Sequence, residues 1–118
     1  MSSYEDIVIK QGTDYAMQIE VANVDGSKKD LTDYTINSQL RKTINTTDSD
    51  AITFTSSIPT PATDGLITLE LTNAQTSAMA PGRYLYDVNI EYTDSDLNTV
   101  VERILEGQAN VTASITRI

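Results

Sequence analysis

The chain has 118 residues, with 17 acidic and 8 basic side chains that give a formal net charge of −9. It contains no cysteine and no histidine, which excludes disulfides, thiolate metal sites and the commonest metal ligand and general base of proteins. This length fits one domain over residues 1–118, and the negative charge disfavours binding to nucleic acid or to an anionic membrane.

The first half of the chain alternates apolar and polar residues, which is the pattern of strands that bury one face. Four such runs lie around residues 7–9, 15–21, 34–40 and 52–58. The turn-forming pair Asp25-Gly26 separates the second run from the third. Residues 43–50 are polar and predict an exposed loop, and residues 1–6, which precede the alternation, are candidates for an extended arm.

Three further alternating runs lie around residues 67–71, 84–92 and 100–115. Between the first two, Thr72 and Gln75 match a capping box, so we predict a short helical crossover at about 72–80. Gly107 interrupts the last run and is a candidate for a β-bulge. Residues 113–118 are candidates for a second extended arm.

The number and spacing of these runs predict an all-β fold. About seven strands in a chain of this size indicate an Ig-like antiparallel β-sandwich with one helical crossover. A small closed barrel would show the same alternation and remains the alternative.

The run at 84–92 places its tyrosines on the face predicted to be buried. Tyr84, Tyr86 and Tyr92 alternate in step with Val88 and Ile90, so we predict core packing with the hydroxyl groups at the rim. Sugar binding through exposed aromatic rings would instead need tyrosines on the opposite face.

Two leucines are predicted to lie on the solvent-facing sides of their strands. Leu66 and Leu85 are out of step with the buried positions around them, and apolar residues on a solvated face indicate a contact surface. We predict interaction through Leu66, Leu85 and the terminal Ile118.

One turn carries oxygen ligands at alternating positions. Asp94, Asp96 and Asn98 match the start of a calcium loop, but Thr99 and Leu105 stand where that loop needs glycine and glutamate. A solvated hairpin turn is therefore the favoured interpretation. The tetrapeptide 47–50 repeats the residues of 93–96, so the two loops could share a cation if they met.

No residue pattern supports catalysis. Glycoside hydrolysis would need paired acids across a cleft, but the candidate glutamates are predicted to lie at outward strand positions or near turns. They are Glu70, Glu91, Glu102 and Glu106. A serine nucleophile would lack a histidine base, and no glycine-rich phosphate loop is present. We predict that the protein is not an enzyme, has no catalytic residues and needs no cofactor.

Four segments, in this order and spacing, resemble small Ig-like virion structural proteins of tailed bacteriophages. They are Asp30-Leu31-Thr32-Asp33-Tyr34, Gln39-Leu40-Arg41-Lys42, Pro81-Gly82-Arg83-Tyr84-Leu85-Tyr86-Asp87 and Leu105-Glu106-Gly107. The sequence is similar to the N-terminal domain of siphophage upper baseplate proteins from about residue 6 to residue 111. The family commonly has glycine where this chain has Asp33, and aspartate tolerates the left-handed conformation better than most residues.

The resemblance implies a non-enzymatic virion component, and we expect a capsid decoration or head accessory protein. Baseplate adaptors continue into a fibre region, whereas this sequence ends at Ile118, so a tail or baseplate accessory or adaptor is the alternative. An alternative of another class is a carbohydrate- or receptor-binding module.

The resemblance also implies the location and the partners. The sequence starts without the features of a signal peptide and contains no membrane-spanning apolar run, so we expect synthesis in the host cytoplasm and residence in the virion. The expected partners are a major capsid protein or a tail or baseplate protein, together with further copies of this chain. No nucleic acid or membrane partner is expected.

Overall fold

Strands form most of the chain in the computed structural model, which describes residues 3–43, 45 and 50–116. The strands are β1 (Ser3–Tyr4), β2 (Ile7–Lys10), β3 (Tyr15–Glu20), β4 (Thr35–Arg41), β5 (Ile52–Thr53), β6 (Thr55–Ser57), β7 (Leu66–Leu71), β8 (Gly82–Thr93) and β9 (Thr99–Thr112). One helix, α1 (Asn73–Ser77), lies between β7 and β8, and a short 3-10 turn at Ala62–Asp64 precedes β7.

The strands form two sheets that face each other across one core. The large sheet has the order β1-β9-β8-β4-β5, with β2 also paired to β9, and the small sheet has the order β3-β7-β6. The inward-facing apolar residues of both sheets are buried, including Ile9, Leu40, Leu69 and Val88. The all-β sandwich predicted from the alternation is confirmed.

The described residues form nine strands, because one of the seven predicted runs is divided and because Ser3–Tyr4 adds a strand before the first run. At Phe54 the chain leaves the large sheet and enters the small one, so the run at 52–58 becomes β5 and β6. The phenyl ring is buried, and the Phe54 N–H donates to the Ser38 carbonyl at 3.0 Å. This crossing closes one lateral side of the sandwich.

The N-terminal segment forms two strands and pairs in parallel with β9, whereas the other strand pairs are antiparallel. Ser3 and Tyr4 are therefore sheet residues within the segment predicted as an arm. Of the predicted C-terminal arm, residues 113–116 lie outside any strand, with Ile115 fully exposed. The remaining arm residues, 1–2 and 117–118, lie outside the described part of the chain, and so does Ile118.

The tyrosines of β8 occupy the predicted face. Tyr84 and Tyr86 are buried, and their hydroxyl groups donate to the Ala80 carbonyl at 3.0 Å and to the Glu5 carbonyl at 2.6 Å. Tyr92 is half-buried against Tyr34, with ring centroids 5.0 Å apart. The core role predicted for the three rings is confirmed.

The predicted helical crossover is also confirmed. Thr72 caps α1 by accepting from the Gln75 N–H, and the Gln75 side chain accepts from the Thr72 N–H at 2.9 Å. The buried hydroxyl of Thr76 donates to the Thr13 carbonyl at 2.7 Å and accepts from the Gly12 N–H at 3.1 Å. These bonds fix α1 to the turn between β2 and β3.

The bulge in β9 lies away from Gly107, so its predicted position was wrong. Val88 pairs with Leu105 while the next residue, Asn89, pairs with Arg103, which leaves Ile104 as the extra residue. Gly107 continues the regular pairing, opposite Tyr86. It is required for another reason, because a Cβ there would lie 1.9 Å from the Glu5 carbonyl oxygen.

No helix among the described residues is long and apolar enough to cross a membrane.

Candidate binding groove on the large sheet

A groove of about 580 Å³ lies on the outer face of the large sheet. We call it the outer groove. Its lining includes side chains from β1, β4, β8 and β9, namely Tyr4, Gln39, Leu85, Asp87, Asn89, Arg103 and Glu106.

The strand alternation explains why these residues meet. Leu85, Asp87 and Asn89 alternate with buried residues of β8 and therefore face outward. Asp87 pairs with Gln39 on one side and with Glu106 on the other, so three neighbouring strands supply side chains to the middle of the groove.

The bulge at Ile104 decides which β9 residues reach the groove. Without an extra residue, Arg103 and Glu106 would point to opposite faces of the sheet, because side chains alternate with a period of two. With Ile104 inserted, Leu105 faces the core while Arg103 and Glu106 both face outward.

Arg103 is the centre of the charged part of the groove. One guanidinium nitrogen lies 3.3 Å from Asp87 Oδ2, and another lies 3.5 Å from Glu106 Oε2. Its Nε donates to Asn89 Oδ1 at 3.4 Å. Because these groups are about half exposed, the pairs contribute little to stability, and their effect is to orient the side chains.

Tyr4 supplies the aromatic wall of the groove. It pairs in register with Glu106, and 65% of its surface is exposed. Partial desolvation, and then the neighbouring Asp6 carboxylate, raise the pKa of its hydroxyl. The sequence pattern placed Tyr4 in an arm, although its odd separation from buried Ile7 and Ile9 could have placed it on the outer face.

The predicted contact residues do not form one surface. Leu85 is half-buried in the outer groove, whereas Leu66 is half-buried on the outer face of the small sheet, opposite Glu20 of β3. The two leucines thus lie on opposite sides of the sandwich. The third predicted residue, Ile118, is outside the described residues.

The candidate cation ligands form the turn between β8 and β9. Asp94 Oδ1 accepts from the N–H groups of Asp96 and Asn98, both at 2.9 Å, and Leu97 has a φ of 65°. This is the geometry of a hairpin turn closed by its own aspartate. The described residues contain no group of three or more metal-ligating His, Cys, Asp or Glu side chains, and residues 47–49 of the second loop lie outside them.

The carboxylates weighed for catalysis are distributed over both sheets. Glu70 is exposed on the small sheet, and Glu91, Glu102 and Glu106 belong to the β8–β9 hairpin of the large sheet. Only Glu106, of these four, lines the outer groove, where Arg103 pairs with it.

The order of the strands defines the class of fold. The sheets β9-β8-β4-β5 and β3-β7-β6 reproduce the two-sheet arrangement of Ig-like sandwiches, with an N-terminal strand added beside the last strand. The chain is an Ig-like β-sandwich.

Comparison with one solved structure supports this fold. The structure of murine CRIg matches with a TM-score of 0.52 and 15% identity, over 92% of this chain and 92% of that chain. AggA, the major subunit of aggregative adherence fimbriae type I from Escherichia coli, matches with a TM-score of 0.38 and 10% identity, over 92% of this chain and 89% of that chain. No protein-family model and no curated protein matches the sequence.

Proposed function

We propose that the chain is a non-enzymatic docking module that binds a protein partner through the outer groove. The observation that carries the proposal is the juxtaposition of Leu85 and Tyr4 with the Arg103 ion pairs. A half-buried apolar centre surrounded by oriented polar groups is the general anatomy of a protein interface.

We propose further that the partner is a virion protein of a tailed bacteriophage, and that the chain decorates the capsid or accompanies the head. The support is the resemblance of the four sequence segments. Three of them contribute directly to the outer groove, through Gln39, through Leu85 and Asp87, and through Glu106. A tail or baseplate accessory or adaptor role is the alternative location, and repeated copies on a symmetric particle would strengthen weak single contacts.

Particles of the phage that encodes this chain provide the test. We expect the protein in purified virions by immunoblot and on the head by immunogold electron microscopy. Labelling of the tail or baseplate would favour the alternative location. Absence from virions would overturn the virion proposal.

The docking face is tested with two matched leucine variants. Leu85→Glu places a charge in the outer groove, and we expect at least about tenfold weaker binding of the purified protein to particles that lack it. Leu66→Glu makes the same change at a half-buried leucine on the opposite face and should leave binding unchanged. The reverse result would assign docking to the small sheet.

A carbohydrate- or receptor-binding module is the second candidate, and Tyr4 favours it. An exposed aromatic ring beside the planar polar groups of Gln39, Asn89 and Arg103 could stack on a sugar and bind its hydroxyl groups. Glycan-array binding that is lost in Tyr4→Ala would support this function. Absence of binding to any glycan would exclude a carbohydrate ligand from the array.

A further inference from the structure

The two lateral sides of the sandwich differ. On one side the crossing from β5 to β6 joins the sheets through buried Phe54. On the other side, β3 is the edge strand of the small sheet, and β1 and β2 form the edge of the large sheet. Within the described residues, no backbone pairing joins these two edges. A cleft of about 630 Å³ lies between them, which we call the lateral cleft, and its lining includes Glu5, Gln18, Ile19, Glu20, Glu102 and Ile104.

β3 presents free backbone groups along this cleft. The Val21 N–H donates to the Gly65 carbonyl at 2.7 Å, so the groups of this residue point toward β7. In an antiparallel pair the direction alternates along the strand. The N–H and C=O groups of Ala16, Gln18 and Glu20 therefore point to the open edge, where no strand of the described residues pairs with them.

The core-facing side chains of β3 are incompletely covered. Tyr15, Met17 and Ile19 are half-buried, although the β7 residues opposite them are fully or almost fully buried. Ile104, the bulge residue, is half-buried across the cleft. One more strand beside β3 would cover the edges of these side chains.

This edge has little protection against pairing. Sheet edges are usually blunted by proline, a bulge, a lysine or a very short strand. β3 has six residues in unbroken register with β7 and contains neither proline nor lysine. By contrast, β5 at the edge of the large sheet has only two residues.

The lateral cleft carries an excess of negative charge, which favours one kind of partner. Among the described residues, its lining carries the carboxylates of Glu5, Glu20 and Glu102 against the single cationic side chain of Lys29. The Lys29 Nζ is held 5.3 Å from the centre of the Tyr34 ring. The cleft therefore favours a segment that brings positive charge.

We propose that the lateral cleft binds an extended segment of a partner protein, in which apolar and basic residues alternate, as a fourth strand of the small sheet. The backbone of β3 would supply hydrogen bonds, and the apolar residues would cover Met17 and Ile19. The basic residues would lie on the outer face beside Glu20, and Glu5 and Glu102 would add to the negative potential that attracts them. Such strand addition is an established mode of peptide recognition. This surface is distinct from the outer groove, so neither proposal requires the other.

The probe is a capped peptide of alternating valine and lysine that matches the length of β3, with a peptide of alternating valine and glutamate as its control. We expect the lysine peptide to bind at least about tenfold more tightly in calorimetry. We also expect the amide hydrogens of Ala16, Gln18 and Glu20 to exchange at least about tenfold more slowly when it is bound. Equal affinity for the two peptides, no binding, or protection elsewhere would overturn the proposal.

Two variants locate the site. Gln18→Pro removes one edge-facing N–H and spares the hydrogen bonds to β7, so binding of the lysine peptide should be lost, whereas Gln18→Ala keeps the N–H and should bind normally. Circular dichroism would establish that the proline variant is folded. Glu20→Gln should weaken binding without changing the protected amides, and unchanged affinity in both Gln18→Pro and Glu20→Gln would also overturn the proposal.

Discussion

Tyr86 joins the core to the N-terminal segment through its hydroxyl group, which donates to the Glu5 carbonyl. Burial, and then the nearby Glu5 carboxylate, raise the pKa of this hydroxyl well above its usual value. The folded protein therefore keeps the proton at a pH where the unfolded chain, with an ordinary tyrosine pKa of about 10, has lost it. The stability that this group contributes is complete below pH of about 10 and decreases as the pH rises above that value.

We predict that Tyr86→Phe is less stable than the original chain by about 1 kcal/mol at neutral pH, because the Glu5 carbonyl loses its donor. The difference in the free energy of unfolding between the two proteins should become smaller between about pH 9 and about pH 11. The reason is that the original chain has a tyrosine that ionises on unfolding, whereas the variant lacks it. Urea unfolding at several pH values measures both effects. A difference in the free energy of unfolding that stays constant across this pH range would contradict the raised pKa of the Tyr86 hydroxyl.

Asp33 adopts a left-handed conformation, with φ of 65°. This angle is consistent with the expectation that aspartate accommodates the left-handed conformation at this turn. An L-residue other than glycine is strained there by roughly 1 kcal/mol, and aspartate offsets part of that cost.

We predict that Asp33→Gly raises the free energy of unfolding by about 0.5 kcal/mol, since relief of strain outweighs the entropy that glycine adds to the unfolded chain. The matched control is Thr32→Gly at the preceding residue, whose N–H and hydroxyl both donate to Asp30 Oδ1. This control should be destabilised. Thermal denaturation compares the two, and loss of stability in both would show that the left-handed conformation carries no strain.

The β1–β2 segment is held by contacts with β9, which lies about a hundred residues later in the sequence. The Glu5 N–H donates to the Glu106 carbonyl at 2.9 Å, and Asp6 Oδ1 accepts from the Gln108 N–H at 3.2 Å. Between these bonds the Glu5 backbone passes so close to Gly107 that no Cβ fits. This close approach holds Tyr4 beside the outer groove.

We predict that Gly107→Ala destabilises the fold by about 1–3 kcal/mol, because the added methyl group forces the Glu5 backbone away from β9. Hydrogen exchange should accelerate most in residues 3–10. Asn110→Ala changes an exposed residue of the same strand and should alter stability by less than about 0.5 kcal/mol. Exchange that accelerates uniformly over the whole sandwich in Gly107→Ala would contradict local displacement.

At the scale of the whole molecule, the domain is elongated, with principal extents of 49 × 29 × 21 Å and a formal net charge of −9. Acidic side chains outnumber basic ones about twofold, so self-repulsion opposes the compact state. Arg103 pairs with two carboxylates and relieves this repulsion only locally.

We predict that raising the NaCl concentration from about 10 mM to about 150 mM increases the melting temperature, because the Debye length falls from roughly 30 Å to roughly 8 Å. Calorimetry at constant protein concentration measures the change. Arg103→Gln should increase the salt dependence, because it leaves Asp87 and Glu106 without their cation. A melting temperature that falls on adding salt would show that attractive pairs dominate.

The amino-acid sequence by itself determined the positions of most strands, their buried faces and the capped helix, because alternation and capping depend on neighbouring residues. It correctly put Tyr84 and Tyr86 in the core and Leu85 on the outer face. Only the tertiary structure decided the rest. The place of Tyr4 depends on parallel pairing with β9, a strand about a hundred residues away. Arg103 and Glu106 share a face because of the Ile104 bulge. The edge of β3 is open because no strand of the described residues pairs with it. These features follow from contacts between distant segments, which local periodicity does not encode.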